Sequence, residues 1–385
     1  MYILRPMRYY KEPAGACVIE EIHCGPLWAE IITNDAIGLI EEYGALTTSI
    51  ATGSLPFVQH GHGLVLKEPL GVVLGIAPWN APIILGLRAV VAPIAAGNGS
   101  ELSPETHYLI ASLFQEAEFP PGVLNFLLHR PQDAPDIFDV LINHPAIKKC
   151  NFTGSTQVGR VIASQAALAL KPVLLELGGK NFTVVLDDAD LDLAAQEITK
   201  GAFLNNGQIC MSTDKVLVTT AVAPALEAKI LAILHDINTP SVLISPAAKA
   251  KVEMLVSDAR DKGAQIHTPP AAYKASPRSF PPTVLTGLTP EMKLYEIESF
   301  GPVVGIVAVE TEEQITAILN NFPESYRALD FAGSIKAGAV HINSMTVHDE
   351  PTLPHGGYGD SGWGRFGARW GLEEFVQTKV VTLHP

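Results

Sequence analysis

Short β-branched runs alternating with helical segments predict an α/β protein with parallel-sheet character. One alternating block runs through Lys148–Phe152, a helix from Gly154 to about Ala169, and Pro172–Glu176; a second runs from Lys215 to about Leu319. The chain has 385 residues, 47% hydrophobic and 17% charged. That is material for roughly two to three domains with large cores, and it argues against global disorder. At least two α/β units are expected.

Apolar positions recur at helical spacing from Trp28 to Tyr43. Ala51–Lys67 is rich in Gly, His and turn formers, then rises into an extended run. Gly71–Ile76 is short, apolar and uncharged, the pattern of a buried strand. The prolines of Ala77-Pro78-Trp79-Asn80-Ala81-Pro82 forbid helix and fix a rigid loop. A helix is then predicted from Ile84 to Ala96, closed by Gly97-Asn98. Ser103-Pro104-Glu105 opens the next, to about Glu118. Val123–Leu128 reads as strand, Asp133–Leu141 as helix and Thr183–Leu186 as strand. Helices follow near Leu191–Phe203 and from about Gly207. The proline-rich Thr268–Pro282 is read as a loop, and Phe375–Leu383 as an extended edge strand.

Lys and Arg total 26 against 40 Asp and Glu, a net charge of −14, which disfavours a nucleic-acid grip built on a basic face. Cys17, Cys24, Cys150 and Cys210 are too few for a disulfide scaffold and lack zinc-like spacing; Cys17 and Cys24 with His23 are a weak metal hint without a partner pair. His62, His341, His348 and His355 are scattered and read as ordinary surface or packing residues. The N-terminus shows no secretory pattern, and the longest apolar run, Ile83–Ala96, is broken by Arg88 and Pro93, so no membrane partner and a cytoplasmic location are expected.

Four features could carry chemistry, each with a bland alternative. Phe152-Thr153-Gly154-Ser155-Thr156-Gln157-Val158-Gly159 lies at a strand end and opens a helix. Its free amides and glycines suit a pyrophosphate, or plain capping. Glu176 follows an apolar strand and precedes Gly178-Gly179, as a catalytic carboxylate or a solvated strand end. Cys210 could be a small core residue. Near a helix start its thiolate would instead be stabilised for attack on a carbonyl. Asn80 is a rigidly placed amide that could face a developing oxyanion or merely close its loop.

Taken together, these segments resemble the aldehyde dehydrogenase superfamily, with the texture of its salicylaldehyde and vanillin dehydrogenase-like branch. The resemblance rests on Ala77–Asn80, Phe152–Gly159, Leu175-Glu176-Leu177-Gly178-Gly179-Lys180, Gly207-Gln208-Ile209-Cys210 and Glu298-Ser299-Phe300-Gly301-Pro302-Val303, in family order over nearly the whole chain. It implies an aldehyde dehydrogenase-like α/β fold: a Rossmann-type NAD(P)-binding domain (1–50 and 71–177), a catalytic domain (178–368) and an oligomerisation arm (51–70 and 369–385). It also implies oxidation of an aldehyde, aromatic or otherwise apolar, to the acid through a thiohemiacetal and a thioester. Cys210 would be the nucleophile, Asn80 and the Cys210 amide the oxyanion donors, and Glu176 the base that activates water. Gly154, Ser155 and Gly159 would take the pyrophosphate, Trp79 and Phe300 line the cofactor cleft, and Glu298 hold the nicotinamide ribose. Glu101 would hold the adenosine ribose, a lean toward NAD with NADP also open. A homodimer or homotetramer is expected.

The chain also departs from the family pattern. Asn98 runs straight into Gly99-Ser100-Glu101, without the family's short strand and its ribose-contacting lysine. The strand and helices before Trp28 are expected to be absent, and the stretch between Asn321 and Ile335 is shortened. Losing a central sheet strand would expose backbone amides. A catalytically impaired or silent member is therefore a second expectation beside the active enzyme. A coenzyme A-acylating variant is a weaker third, because Glu176 is retained.

Overall fold

The computed structural model describes residues 3–50, 53–59, 61–93, 96–98, 102–238, 241–270, 276–311, 314, 332–333 and 335–384. The chain divides into two compact units, one of Met1–Ile22, Pro26–Leu177 and Asp349–Pro385, the other of His23–Gly25 and Gly178–His348. Residues 349–368, expected with the catalytic domain, thus belong to the first unit. The reason is the core they complete: Phe366 is buried with Val73, Leu174 and Phe375.

The first unit opens with helices that the family pattern suggested were lost. Helix α1 (Leu4–Tyr9) and helix α2 (Lys11–Ile22) precede helix α3 (Pro26–Ile50). α2 buries Ala14, Val18 and Ile22, one stripe at i, i+4, i+8. Strands β1 (His62–Pro69) and β2 (Val72–Ile76) lead to helix α4 (Pro82–Val91), which starts on a proline where no intrahelical amide is needed. α4 ends at Val91, well before Ala96, because Pro93 has no amide with which to continue the helical hydrogen bonds. Residues 96–98 are therefore available to the sheet as strand β3 (Ala96–Asn98). Helix α5 (Pro104–Glu116), strand β4 (Phe126–Leu127), helix α6 (Ala134–Asn143), strand β5 (Ile147–Gly154), helix α7 (Thr156–Leu168) and strand β6 (Val173–Leu177) follow.

The second unit contains strand β7 (Phe182–Val185), helix α8 (Leu191–Phe203), strand β8 (Lys215–Thr219), helix α9 (Ala223–His235) and strand β9 (Ser241–Val242). It continues through helix α10 (Pro246–Asp261), strands β10 (Gln265–His267), β11 (Ser279–Phe280) and β12 (Thr283–Thr286), helix α11 (Lys293–Glu296) and strand β13 (Val303–Val309). Its sheet runs β10-β12-β13-β8-β7, parallel except for β10. One core layer joins Val216, Val218, Val284, Val304 and Ile306 to α8 and α9; another joins Leu217, Leu285, Val303 and Val307 to α10. The predicted loop at Thr268–Pro282 contains β11, which pairs with β9. The expected shortening between Asn321 and Ile335 lies largely outside the described residues.

The chain then returns to the first unit as strand β14 (Gly362–Trp363), helix α12 (Ala368–Glu373) and strand β15 (Val376–Leu383). The six-stranded sheet has the order β14-β6-β5-β2-β3-β4, parallel throughout its β6-to-β4 portion. The expectation of a missing strand after α4 is corrected here: β3 pairs with β2 through Leu74↔Ala96, Gly75↔Gly97 and Ile76↔Asn98, and with β4 on its other side. The order reverses between β2 and β5, so the carboxyl ends of those two strands flank the topological switch point of the sheet. β1 and β15 form a separate antiparallel two-stranded ribbon, His62↔Leu383 to Pro69↔Val376.

Candidate active site

At the switch point of the first unit, β2 runs into Ala77-Pro78-Trp79-Asn80 and β5 into Gly154-Ser155. The sheet thus brings Trp79, Asn80, Gly154 and Ser155 to one edge, with Glu176 near the carboxyl end of the adjacent β6. Asn80 is buried, and its carbonyl accepts a 2.9 Å hydrogen bond from the indole Nε1 of Trp28 on α3. Trp28 thereby clamps the loop, a role its helical spacing did not disclose. Ser155 caps α7, its Oγ accepting from the Val158 amide. A Cβ at Gly159 would lie 2.4 Å from Leu177 Cδ2, so glycine lets α7 sit close against β6. Glu101 lies outside the described residues.

Glu176 is not the solvated strand-end carboxylate of the bland reading. It is buried among charges. His355 Nε2 lies 2.7 Å from its Oε1, Arg88 Nη1 3.6 Å from its Oε2, and the Thr153 hydroxyl donates to Oε2 at 3.2 Å. Arg88 and His355 both also engage Asp349, the guanidinium through Nη2 and the imidazole through Nδ1 at 3.3 Å. Two anions and two cations therefore share one desolvated cluster. Burial alone would raise the Glu176 carboxyl, but the charge and hydrogen bond of His355, then the charge of Arg88, hold it below its ordinary value. Burial alone would likewise strip the His355 proton, but Asp349 and then Glu176 push its imidazole up to about 9. Asp349 is held well below the usual carboxylate range by Arg88 and His355, against its own burial. His355, read from sequence as an ordinary surface or packing histidine, is corrected to a half-buried charge partner. No local signal marked it, because its partners come from positions 88, 176 and 349.

In the second unit, Cys210 does not open a helix, contrary to expectation. Asn205 (φ 48), Asn206 (φ 57) and Gly207 (φ +70) are left-handed, so the chain leaves α8 through a tight turn and Cys210 sits in a further turn before β8. A Cβ at Gly207 would lie 2.1 Å from the Gly301 carbonyl, so the Gly207–Cys210 segment and the Glu298–Val303 segment touch backbone to backbone. Cys210 is half-buried and forms no disulfide. Its carbonyl accepts from Asn181 Nδ2 at 2.6 Å, and that amide also donates to Ser212 O at 3.2 Å. Lys180 Nζ donates to Asp214 Oδ1 (3.1 Å) and to Ile297 O (3.0 Å); Ser299 donates to the same Asp214 oxygen through its amide and hydroxyl. Asn181 and Asp214 escaped the sequence reading, although Asn181 directly follows the Gly-Gly-Lys motif.

Phe300 has φ 48 and is half-buried beside Glu298. Glu298 Oε1 is buried without a hydrogen-bond partner, and its Oε2 lies where a Cβ on Gly178 would come to 2.5 Å. Burial and then the charge of Asp214 push this carboxyl up to about 7, against Lys251, the Gly179 amide and Lys180. An orphaned acceptor oxygen in a glycine-cleared space fits a hydroxyl-bearing ligand.

Comparison with known proteins agrees with this architecture. The model of the aldehyde dehydrogenase family matches residues 19–381. A vanillin dehydrogenase of Pseudomonas sp. strain HR199 is 42% identical over 373 residues, covering 90% of this chain and 77% of that protein. A salicylaldehyde dehydrogenase of Pseudomonas sp. strain C18 is 36% identical over 391 aligned residues, covering 95% and 80%. The crystal structure of a salicylaldehyde dehydrogenase from Pseudomonas putida G7, complexed with salicylaldehyde, superposes with a TM-score of 0.94 at 33% identity, covering all of this chain and 84% of that one. The chain belongs to the aldehyde dehydrogenase family. Its fold is that family's α/β fold and its reaction class is NAD(P)-dependent oxidation of an aldehyde. No helix among the described residues is long and apolar enough to cross a membrane.

Proposed function

We propose that the protein oxidises an aromatic aldehyde to its carboxylate with NAD as hydride acceptor. The observation that carries the site assignment is the Cys210 turn: a half-buried, unbridged thiol that follows the left-handed Asn205-Asn206-Gly207 turn, its main-chain carbonyl held by Asn181. The substrate class is supported by the vanillin and salicylaldehyde dehydrogenases at 42% and 36% identity.

In this reading the Cys210 sulfur adds to the aldehyde carbon, and the oxyanion is met by the Asn80 side chain and the Cys210 amide. NAD, when bound, accepts the hydride, which leaves a thioester on Cys210. Glu176 then takes a proton from water, whose oxygen attacks the thioester carbonyl; the C–S bond breaks and the acid departs. The first unit is the proposed cofactor domain, with Ser155, Gly154 and the α7 N-terminus at the pyrophosphate and Trp79 in the cleft. Glu298 would accept from a ribose hydroxyl through its orphaned oxygen, beside Phe300. The Glu101 lean toward NAD belongs to this proposal. Four unbridged cysteines support a reducing, cytoplasmic setting. The β1/β15 ribbon, with Leu66, Val380 and Leu383 exposed, supports docking on a second copy as a homodimer or homotetramer.

Following NADH absorbance with vanillin, salicylaldehyde and benzaldehyde, with NADP run in parallel, tests the reading. Cys210→Ala should lower turnover by about a thousandfold or more while leaving the fold intact. Retained turnover in that variant overturns the assignment of the nucleophile.

A further inference from the structure

We infer that His355 is a positioning residue for Glu176: its imidazolium, wedged between Glu176 and Asp349, holds the carboxylate in place and withholds its basicity until the imidazole gives up its proton. This rests on the proposed role of Glu176 as the base that activates water.

His355 is fixed from the backbone by paired 2.8 Å hydrogen bonds with Phe366, its amide donating to the Phe366 carbonyl and its carbonyl accepting from the Phe366 amide. Its ring spans Glu176 Oε1 at 2.7 Å and Asp349 Oδ1 at 3.3 Å. The charged and titratable groups facing the pair are Arg88 from α4, Asp349 from the segment before His355, and Tyr43 from α3. Thr153 from β5 adds a neutral hydroxyl. Burial raises the Tyr43 phenol, so it stays neutral and adds no charge. With His355 protonated, two cations balance two anions. A proton delivered to Glu176 would then leave a net positive charge in a desolvated pocket, an unfavourable step. With His355 neutral, Arg88 faces two carboxylates, and the same proton restores neutrality. The proton that Glu176 accepts comes from water, whose oxygen bonds to the thioester carbon. The group that must first deprotonate is one hydrogen bond away from that base.

Geometry and charge therefore place an alkaline limb on thioester hydrolysis, separate from hydride transfer. An imidazole titrating at about 9 is only sparsely neutral at pH 7 and half neutral at pH 9, so the hydrolytic rate should rise by up to roughly fifty-fold between them. The test is stopped-flow on the full-length protein with NAD and salicylaldehyde from pH 6 to pH 10. The NADH burst is read apart from the steady-state rate. The wild type should show the limb in the steady state only, and His355→Phe should show a steady-state rate nearly flat from pH 7 to pH 9. His355→Asn, which keeps a hydrogen bond without the charge, should flatten it too and serves if the phenylalanine does not fold. A limb that survives in the folded variant overturns the proposal, as does a flat wild-type profile. An independent readout is the histidine ¹³Cε1 resonance that disappears in the variant: it should titrate near pH 9, and a midpoint near 6.5 overturns the proposal. If no NADH forms at all, the activity reading fails, and the resonance still decides whether His355 carries the charge.

Discussion

Glu176 and Glu298 are both glutamates in motif segments, both withdrawn from water, and their carboxyls are shifted in opposite directions. Glu176 has His355 at 2.7 Å and Arg88 at 3.6 Å, and is held ionised. Glu298 has one oxygen without a partner and an anion, Asp214, acting on it, and its carboxyl is pushed up to about 7. Burial penalises the anion at both positions. What differs is the company: two cations outweigh the penalty at one position, whereas at the other Lys251, the Gly179 amide and Lys180 offset it only in part. A carboxylate with its partners already in place suits repeated chemistry. A carboxylate left short of one suits a ligand that supplies the missing hydrogen bond.

The largest way to break this contrast is to unbalance the cluster around Glu176. Asp349→Ala leaves Arg88 and His355 facing a single carboxylate in a buried site, and should cost about 3–5 kcal/mol of stability, read as a lower denaturation midpoint. A change below 1 kcal/mol would show that the cluster is already neutralised by proton loss. The same cluster gives an alkaline signature. The folded pKa of His355, about 9, lies above the unfolded value of 6.5, so its stabilising contribution is complete below pH 6.5 and is lost as pH rises through 9. His355→Phe should remove that part of the alkaline decline in thermal melts.

Next in size is Glu176→Gln. It keeps the shape and deletes the base, so steady-state turnover should fall by about a hundredfold to a thousandfold, while the first equivalent of NADH still appears. Loss of the burst as well would mean that Glu176 is needed before the thioester forms.

How much of this could be read beforehand follows from how local each feature is. Rigid Pro78 and Pro82, the Gly154-Ser155 turn into α7 and the apolar strand ending at Glu176 are each written in a few adjacent residues, and their places in the fold followed from them. The apolar periodicity of residues 84–96 continues past Pro93, but the helix does not; its end at Val91 frees residues 96–98 to form β3. The helix expected from Gly207 failed because Asn205, Asn206 and Gly207 all take positive φ, which composition permits without requiring. The charge cluster was hidden for a different reason. Arg88, Glu176, Asp349 and His355 are spread over most of the chain, and only the fold, which lays α4 on β2, β3 and β5 and pairs β14 with β6, joins them. A lone histidine in Pro354-His355-Gly356 carries no sign of that.

The smallest expected effect sharpens the other side of the comparison. Glu298→Gln removes the buried charge but keeps an acceptor oxygen. If the missing partner is a ribose hydroxyl, NAD affinity at pH 8 should weaken by about tenfold, the worth of a charge-assisted over a neutral hydrogen bond. Without cofactor the sign reverses. The folded pKa of Glu298, about 7, lies above its ordinary 4.5, so ionising it inside the protein costs stability increasingly as pH rises from 4.5 through 7. The cofactor-free variant should therefore melt higher than the parent at pH 8 and match it at pH 5. Calorimetric NAD titration beside thermal melts at both pH values reads the two effects together. A variant that binds NAD more weakly yet melts higher identifies Glu298 as a carboxylate kept for a ligand at the expense of the fold. A variant that melts lower at pH 8 would mean that the lone oxygen has a partner within the protein, and the contrast with Glu176 would collapse.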